Sequence, residues 1–589
     1  MFKKSLLPKI QSAFAQFRYS ISYVDALPQL TLLGFLVGLI TAVIIIAFRL
    51  LIQLPLGSIL PFGAENFEAL DPVARCILIF SGATVIYILL KWAGKDRNQM
   101  GVAHVLDRLH NYQGHMPMSN WWLQFFGAAV SIISGQSVGR EGPAVHLGAG
   151  AASRLSRFLR LPNNSRHTLI ACGVAAAIAA SFETPLAGVL FAMEVILIEY
   201  SIVGFVPVIL ASVTGAVMSQ LVFEDTTTKL VSQQYDLHTL LELPYMLAVG
   251  LIIASAAALF IKLHIANMKL HHWPLSIRLF IAACLTSVAA WYLPEIMGLG
   301  YDTLNDALTG QLALQTLILV AIVKLTLTAS INGLGVPGGV IGPTLVVGAC
   351  LGGALGYVGG LLYSEPTANA GFYVVIGMTG MMAAVLNAPM AALVAVLELS
   401  SNPNMIFPSM LVIVIACVTT RHFYRCKGIF IEQLQQNGKG IEFHPTQDAL
   451  QRTGIANIMC TDVVYTDRML AFDQAKEALA RQPRWIIVDF KNKDEGTRDK
   501  LALNAADLAA YIESAPVEVL SLDESIDLLN IPGRRLTLSP IHDTANLWEA
   551  LEAIKNSQAE ALYVAIRNTP LTASIRGLIT EEAINNYYR

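Results

Sequence analysis

Charge is what this sequence is short of. Asp, Glu, Lys and Arg make up 14% of its 589 residues, where a soluble domain carries about 25%, and its mean hydropathy is +0.56. The shortage is uneven. Long apolar windows follow one another from Leu30 to Val418, and charged residues return at ordinary density from Glu432 onward. A net charge of −3 leaves no basic footprint for nucleic acid. The seven cysteines (Cys76, Cys172, Cys284, Cys350, Cys417, Cys426 and Cys460) are odd in number and lack CxxC spacing. That argues against a disulfide framework or a zinc site and leaves small apolar filler. The sequence also offers no nucleophile with its base, no metal-ligand cluster and no phosphate loop, so an enzyme is not supported. Near the start, Lys3, Lys4 and Lys9 precede apolar residues, yet no small-residue cleavage site follows, and Met1–Tyr23 reads as an uncleaved amphipathic helix.

The pattern predicts a cytoplasmic N-terminal helix over 1–29, a membrane domain over 30–431, a linker over 432–453 and a soluble domain over 454–589. A spanning helix needs about 20 apolar residues. Candidates are Leu30–Leu54, Cys76–Trp92, Ile202–Val222, Leu243–Leu263, Leu279–Leu293, Leu314–Thr328 and Phe407–Thr419. Between Ser119 and Tyr200, and again between Gly333 and Ser400, apolar stretches are short and broken by Gly and Pro. Irregular backbone in a bilayer survives only where protein or a water-filled cavity covers it. Paired broken segments in two halves of a transporter point to its substrate site.

The two broken regions match. Gly142-Pro143 with Gly148-Ala149 recurs as Gly342-Pro343 with Gly348-Ala349, at an offset of 200. Gly173, Pro185 and Glu194 recur as Gly377, Pro389 and Glu398, at an offset of 204 with the same internal spacings of 12 and 9. Two spaced sets at nearly one offset indicate an internal duplication of the membrane domain.

The sharpest signal is Ser134-Gly135-Gln136-Ser137-Val138-Gly139-Arg140-Glu141-Gly142-Pro143. A carboxylate at membrane depth costs roughly 2.5–3.5 kcal/mol on insertion scales and usually marks function. Pro143 suits the first turn of a following helix, and a helix N-terminus attracts an anion through its free N–H groups. Glu141 at that N-terminus can place its own carboxylate where an anion would sit, and protonation would release it. That is a gate.

Gly139-Arg140-Glu141-Gly142-Pro143 resembles the GREGP signature of the CLC chloride channels and chloride/proton exchangers, and Gly335-Val336-Pro337-Gly338-Gly339-Val340-Ile341-Gly342-Pro343 resembles that family's GxFxP loop. The resemblance runs from about residue 30 to the C-terminus. It implies an all-α polytopic membrane domain with an inverted internal repeat of broken helices, in a homodimer with one pore per subunit. It names Glu141 as the gating glutamate, with backbone amides of Glu141, Gly142, Val340 and Ile341 on the anion. Gly139, Arg140 and Gly342 flank them.

The chain departs from the family pattern at four places. The GSGIP motif stands here as Gln99-Met100-Gly101-Val102-Ala103, with Met100 replacing a serine whose hydroxyl binds the central anion. The pore tyrosine aligns, across a one-residue gap, with Phe430. With both hydroxyls missing, a weak central site held by backbone amides and apolar edges is expected. Ile341 replaces the usual Phe in a contact made by backbone. Val195 stands where exchangers commonly carry an inner glutamate that passes protons, a channel-like feature. Glu194 and Glu199 lie close enough for a proton path, although helix capping or a dimer interface is the plainer role. His146 could sense pH, or simply be a hydrogen-bonded helix residue facing protein. Trp121-Trp122 reads as an interfacial anchor.

From Gly454 short helices and strands alternate: Ile458–Val464, helix Phe472–Arg481, strand Trp485–Asp489, then Leu536–Ile541, helix Leu547–Lys555, strand Ala561–Val564 and Gly577–Thr580. This resembles a tandem pair of CBS domains, an α/β unit, with Lys491–Lys500 as an insertion. CBS pairs often bind adenine nucleotides through a Ser/Thr-x-x-Asp segment. Asn504-Ala505-Ala506-Asp507 offers Asp507, whereas Thr580-Glu581-Glu582-Ala583 has lost the acid. A dimer-stabilising tail without nucleotide is the other reading.

The sequence therefore leads to a CLC-type voltage- or pH-gated channel for chloride or a similar small anion, with no required cofactor. It would sit as a multi-pass protein in the lipid bilayer, the inner membrane if bacterial, with both termini cytoplasmic. A proton-coupled antiporter is the alternative, since the two share one pore. A divalent-cation transporter would need clustered membrane carboxylates, and these acids are isolated. In a nucleotide-sensing receptor without transport, Glu141 would have no task.

Overall fold

In the computed structural model, the described residues are all except 1–26, 61–64, 95–98, 199–201, 224–241, 363–369, 441–449, 452, 492–497, 515–524, 566–574 and 589. The chain divides into a helical unit of Leu27–Phe158 and Arg166–Ile441 and a second unit built chiefly on Glu442–Arg589.

Among the described residues, eight helices of the first unit are long and apolar enough to cross a membrane, including Leu27–Ile59, Pro72–Ala93, Leu275–Tyr292 and Leu314–Leu334. The broken regions hold two of the eight, Asn163–Phe182 and Ile341–Leu361. Their Gly-Pro pairs mark helix starts rather than interruptions. Leu27–Gln29 already belong to the first long helix, and the rest of the expected N-terminal helix lies outside the described residues. At the other end, helix Ile429–Gln436 extends into the expected linker.

Burying apolar side chains gives helices no advantage over lipid, so close contact must come from small residues and from polar groups finding partners. Both devices are present. A Cβ at Gly148 or Gly173 would collide with the other's carbonyl, and the same is true of Gly348 and Gly377. The residues that mark the sequence repeat are thus the ones that let paired helices touch backbone to backbone. Arg49, buried on Leu27–Ile59, donates to Ala180 O at 3.2 Å and Ser219 Oγ at 2.8 Å and covers the Phe223 ring at 3.8 Å. Arg75 is held by three carbonyls, those of Phe67, Glu68 and Ala290. Trp121 is buried and donates to Leu147 O at 2.9 Å, while Trp122 is half exposed. Only Trp122 fits the expected interfacial anchor.

The second unit is α/β. Its six-stranded sheet has the order β1-β3-β4-β6-β7-β8, with β1 Val463–Asp467, β3 Trp485–Lys491, β4 Arg498–Asn504, β6 Arg535–His542, β7 Ala561–Ala565 and β8 Ile575–Thr580. β2 Met469–Ala471 pairs separately with β5 Ser525–Asp527. β1 runs parallel to β3 across helix Phe472–Ala480, and β3 turns back antiparallel into β4. β6, helix Leu547–Ser557, β7 and β8 repeat the same plan. The two halves join through antiparallel β4–β6. The residues read as an insertion reach into the β3–β4 hairpin, since Arg498–Lys500 are strand. Each half buries its own cluster: Ile486, Val488, Leu503 and Leu508 in one, Leu562, Val564, Ile579 and Ile584 in the other. The order and pairing fit the expected CBS pair.

Candidate functional site

The two glycine loops that the repeat predicted come together. Gly139 N donates to Gly339 O and Gly339 N to Gly139 O, each at 2.7 Å. An antiparallel pair of equivalent loops is what a local two-fold axis between the halves produces. The approach admits no side chain: a Cβ at Gly339 would lie 2.7 Å from Gly142 N, and one at Gly142 would lie 2.8 Å from Gly339 Cα. Helices Glu141–Phe158 and Ile341–Leu362 start from this junction, so two N-termini, each with amides lacking intrahelical acceptors, open beside one another.

Glu141 is fully buried there. Its Oε2 accepts from the Gly342 amide of the other half at 3.1 Å, and its Oε1 accepts from the Tyr301 hydroxyl. Arg140 Nε stands 3.7 Å from Oε1. The Arg140 guanidinium donates to Ser181 O at 3.0 Å and lies 5.2 Å from the centre of the Tyr301 ring. The carboxylate therefore occupies a seat built from a helix-terminal amide, a phenol and a nearby cation. Such a seat would equally receive a small anion. Val340 and Ile341 are buried at the same junction.

Met100 and Phe430 lie elsewhere along the unit. Met100 is the residue before helix Gly101–Asn111 and makes no side-chain cap. The first amide of that helix, Gly101 N, is taken by Gln124 Oε1 at 2.7 Å. Phe430 is buried in the first turn of Ile429–Gln436, which packs against Gly101–Asn111. Lys439 ties this end of the unit together, donating to Gln99 Oε1 at 2.9 Å and Asp107 Oδ2 at 2.8 Å. The His146 ring is buried, 3.2 Å from Gln124 Oε1 through Nδ1 and edge-on to His104 at 5.1 Å. It faces protein.

The proton-path positions resolve differently. Ala192–Leu197 winds as a π-helix, a rare form that is frequent at functional sites. Val195 in it is buried. The Glu194 carboxylate accepts from Met390 N at 3.3 Å and Ala391 N at 2.8 Å, capping helix Pro389–Ser400. Its repeat partner Glu398 does the reverse, accepting from Leu186 N and Ala187 N at 2.8 Å each at the start of Pro185–Phe191. The capping role weighed for Glu194 is the geometry observed, and Glu398 shares it; Glu199, for which the same role was weighed, lies outside the described residues.

Tyr301 is the residue that sequence reasoning missed. It opens helix Tyr301–Leu308, and its own amide donates to Glu65 Oε2 at 3.1 Å. One signal was available: the offset of 200 that pairs the glycine loops also pairs Tyr301 with Gly101, the start of helix Gly101–Asn111. In the second unit, Asp507 lies in the first turn of helix Ala505–Ser514, and Asn504 Oδ1 caps that helix from Ala506 N at 3.1 Å.

The family model described as voltage gated chloride channel matches residues 82–421, more than half of the chain. The H(+)/Cl(-) exchange transporter ClcA of Vibrio cholerae is 27% identical over 371 residues, which cover 60% of this chain and 75% of that protein. A slow cyanobacterial Cl-/H+ antiporter has the same fold at a TM-score of 0.62 and 19% identity, covering 70% of this chain and 98% of its own. A eukaryotic CLC transporter matches at a TM-score of 0.57 and 18% identity over 95% of this chain and 99% of its own. The likeness to these two structures bears on fold alone. With its glycine loops, its repeat and its family match all in agreement, the chain belongs to the voltage gated chloride channel (CLC) family.

Proposed function

We propose that this protein exchanges a small anion, chloride first, against protons across the membrane, with Glu141 as the gate. The observation that carries the reading is the buried Glu141 carboxylate bonded to the Gly342 amide of the opposite repeat half. A carboxylate in an anion's place must be displaced or protonated before an anion passes, so one group links the two ions. The relative named as an H(+)/Cl(-) exchange transporter supports coupling. The sequence alone ranked passive gated conduction first, on Val195 and Phe430; the relatives favour exchange instead.

Uncoupled conduction remains the second reading because of one specific observation. Val195 offers no proton carrier, and the neighbouring Glu194 carboxylate is engaged by two backbone amides. The central site is proposed to be weak, since Met100 and Phe430 bring no hydroxyl and Gln124 occupies the Gly101 amide. A homodimer with one pore per subunit, a place in the inner membrane if bacterial with both termini cytoplasmic, and an adenine nucleotide at Asp507 belong to the same proposal. No cofactor is required in it.

The test is chloride flux from proteoliposomes holding the purified protein, with a proton gradient imposed and the voltage clamped by valinomycin. Chloride driven uphill by protons supports exchange, and Glu141→Gln should abolish that drive. Flux that only follows chloride's own gradient supports conduction. If Glu141→Gln leaves both flux and its pH dependence unchanged, Glu141 is not the gate.

A further inference from the structure

We propose that Tyr301 is the latch of the gate: its hydroxyl holds the Glu141 carboxylate in the closed seat and sets the pH at which protonation frees it. The proposal rests on the reading of Glu141 as the gate. Among the described residues, Tyr301 is the side chain that donates a hydrogen bond to Glu141 Oε1. It is fixed for that task from both sides. Its amide is anchored on Glu65 Oε2 at 3.1 Å, and its ring has the Arg140 guanidinium 5.2 Å from its centre. Gly300, at φ +81°, turns the chain into the helix there, and a Cβ at that position would lie 2.7 Å from Lys324 Nζ. Lys324 is itself fully buried and donates to Ile296 O at 3.1 Å. The Tyr301 amide is thus pinned by a carboxylate, and the glycine before it lies against a buried cation.

The chemistry has a definite sign. A phenol donates to a charged carboxylate and stabilises the charged, seated form of Glu141. Once Glu141 takes up a proton, it no longer needs that donor. The phenol can then let go, and the side chain is free to leave. Removing only the hydroxyl should therefore make protonation easier and opening possible at higher pH. The other charged groups around the pair remain in place in such a variant: Arg140 beside Glu141, Glu65 on the loop before Phe67, Arg49 on Leu27–Ile59, Glu183 after Asn163–Phe182, Asp302 beside Tyr301, and Lys324 on Leu314–Leu334.

The experiment is chloride efflux from proteoliposomes as a function of pH for the full chain, its Tyr301→Phe and Glu141→Gln variants, and the double variant. A hydrogen bond to a charged group is strong enough to move the midpoint of proton-activated flux upward by about one to two pH units, with flux at neutral pH rising roughly tenfold or more. Glu141→Gln should flatten the profile, and Tyr301→Phe should add nothing to it in the double variant. A Tyr301→Phe profile superimposable on that of the parent, or shifted to lower pH, overturns the latch. So does a shift that persists in the Glu141→Gln background, because Tyr301 would then act on something else. If Glu141→Gln itself keeps the parent profile, it is the gate reading that fails. Should Tyr301→Phe be unstable, Tyr301→Met gives a second route: it too removes the hydroxyl without touching the surrounding charges and should shift the midpoint in the same direction. An unmoved midpoint there also counts against the latch.

Discussion

Glu194 adjoins Val195 in sequence, and the two backbone amides its carboxylate accepts from make its role testable. As a cap it accepts from Met390 N at 3.3 Å and Ala391 N at 2.8 Å, while Glu398 accepts two bonds of 2.8 Å from Leu186 and Ala187. A net hydrogen bond to a charged group contributes about 1.5–3 kcal/mol, and loss of an N-cap typically costs about 1 kcal/mol. Met390 and Leu186 are half exposed, so water can recover part of the loss. Glu398→Ala should then destabilise by about 2–3 kcal/mol, and Glu194→Ala by somewhat less, since one of its bonds is long. Glu194→Gln keeps one acceptor oxygen and should cost roughly half as much as the Ala change. The assay pairs thermal unfolding in detergent with the proton-driven chloride flux described above. A cap predicts that stability falls in the order parent, Gln, Ala, and that proton coupling per chloride is unchanged in whatever protein remains folded. If Glu194→Gln keeps the parent melting temperature but loses proton coupling, the capping argument is wrong and Glu194 is the inner proton carrier after all.

Three further outcomes follow from the geometry. Gly339→Ala would drive its Cβ into the Gly142 amide and Gly139 carbonyl, both backbone; we expect flux to vanish and stability to drop by about 1–3 kcal/mol or more, while Gly57→Ala, which meets nothing within 4 Å, serves as the silent control. In the second unit, Arg468 holds Asp527 by bonds of 2.9 and 2.7 Å and keeps its carboxyl below the ordinary 3.8. That stabilisation is fully present above the unfolded-state value and is lost as pH falls through the depressed folded one, so hydrogen exchange at β2 and β5 should quicken below about pH 4 in the parent and already at neutral pH in Asp527→Asn. Glu141→Gln should leave chloride flux independent of pH, measured in the same proteoliposomes as the latch variants.

What was legible in the sequence was the part written in unusual residues. Glycines at Gly139, Gly142, Gly339 and Gly342 around one acid stand out because few other reasons place them at membrane depth, and they proved to be the junction. Gly148, Gly173, Gly348 and Gly377 were visible as a repeat, but their purpose, two backbones in contact, needs both helices in view. Tyr301 and Gln124 escaped because each acts across a long stretch of chain on a group whose own motif looked complete. Trp121 was misread for a related reason: a paired tryptophan signals an interface by type, and only the Leu147 carbonyl next to it reveals a buried donor. The strands of the second unit were easy, since Ile486-Ile487-Val488 reads as a buried strand between a helix and a turn.

The contacts that matter most all run between the halves of the repeat. Glu194 caps a helix of the second half, Glu398 caps one of the first, Gly139 pairs with Gly339, and Glu141 rests on Gly342. In hydrocarbon an unsatisfied backbone group costs several kcal/mol, so either half alone would expose helix starts that its own sequence cannot cover. The duplication therefore does more than double a scaffold. It makes the Glu141 seat and the caps the same kind of object, a helix N-terminus of one half completed by a carboxylate of the other. The caps are fixed because their acids lie in rigid helical turns with two amides each. Glu141, held by one amide and one phenol, is the one of the three that the proposed gating needs to move, and on that proposal the phenol loses its reason to hold once the carboxylate is protonated.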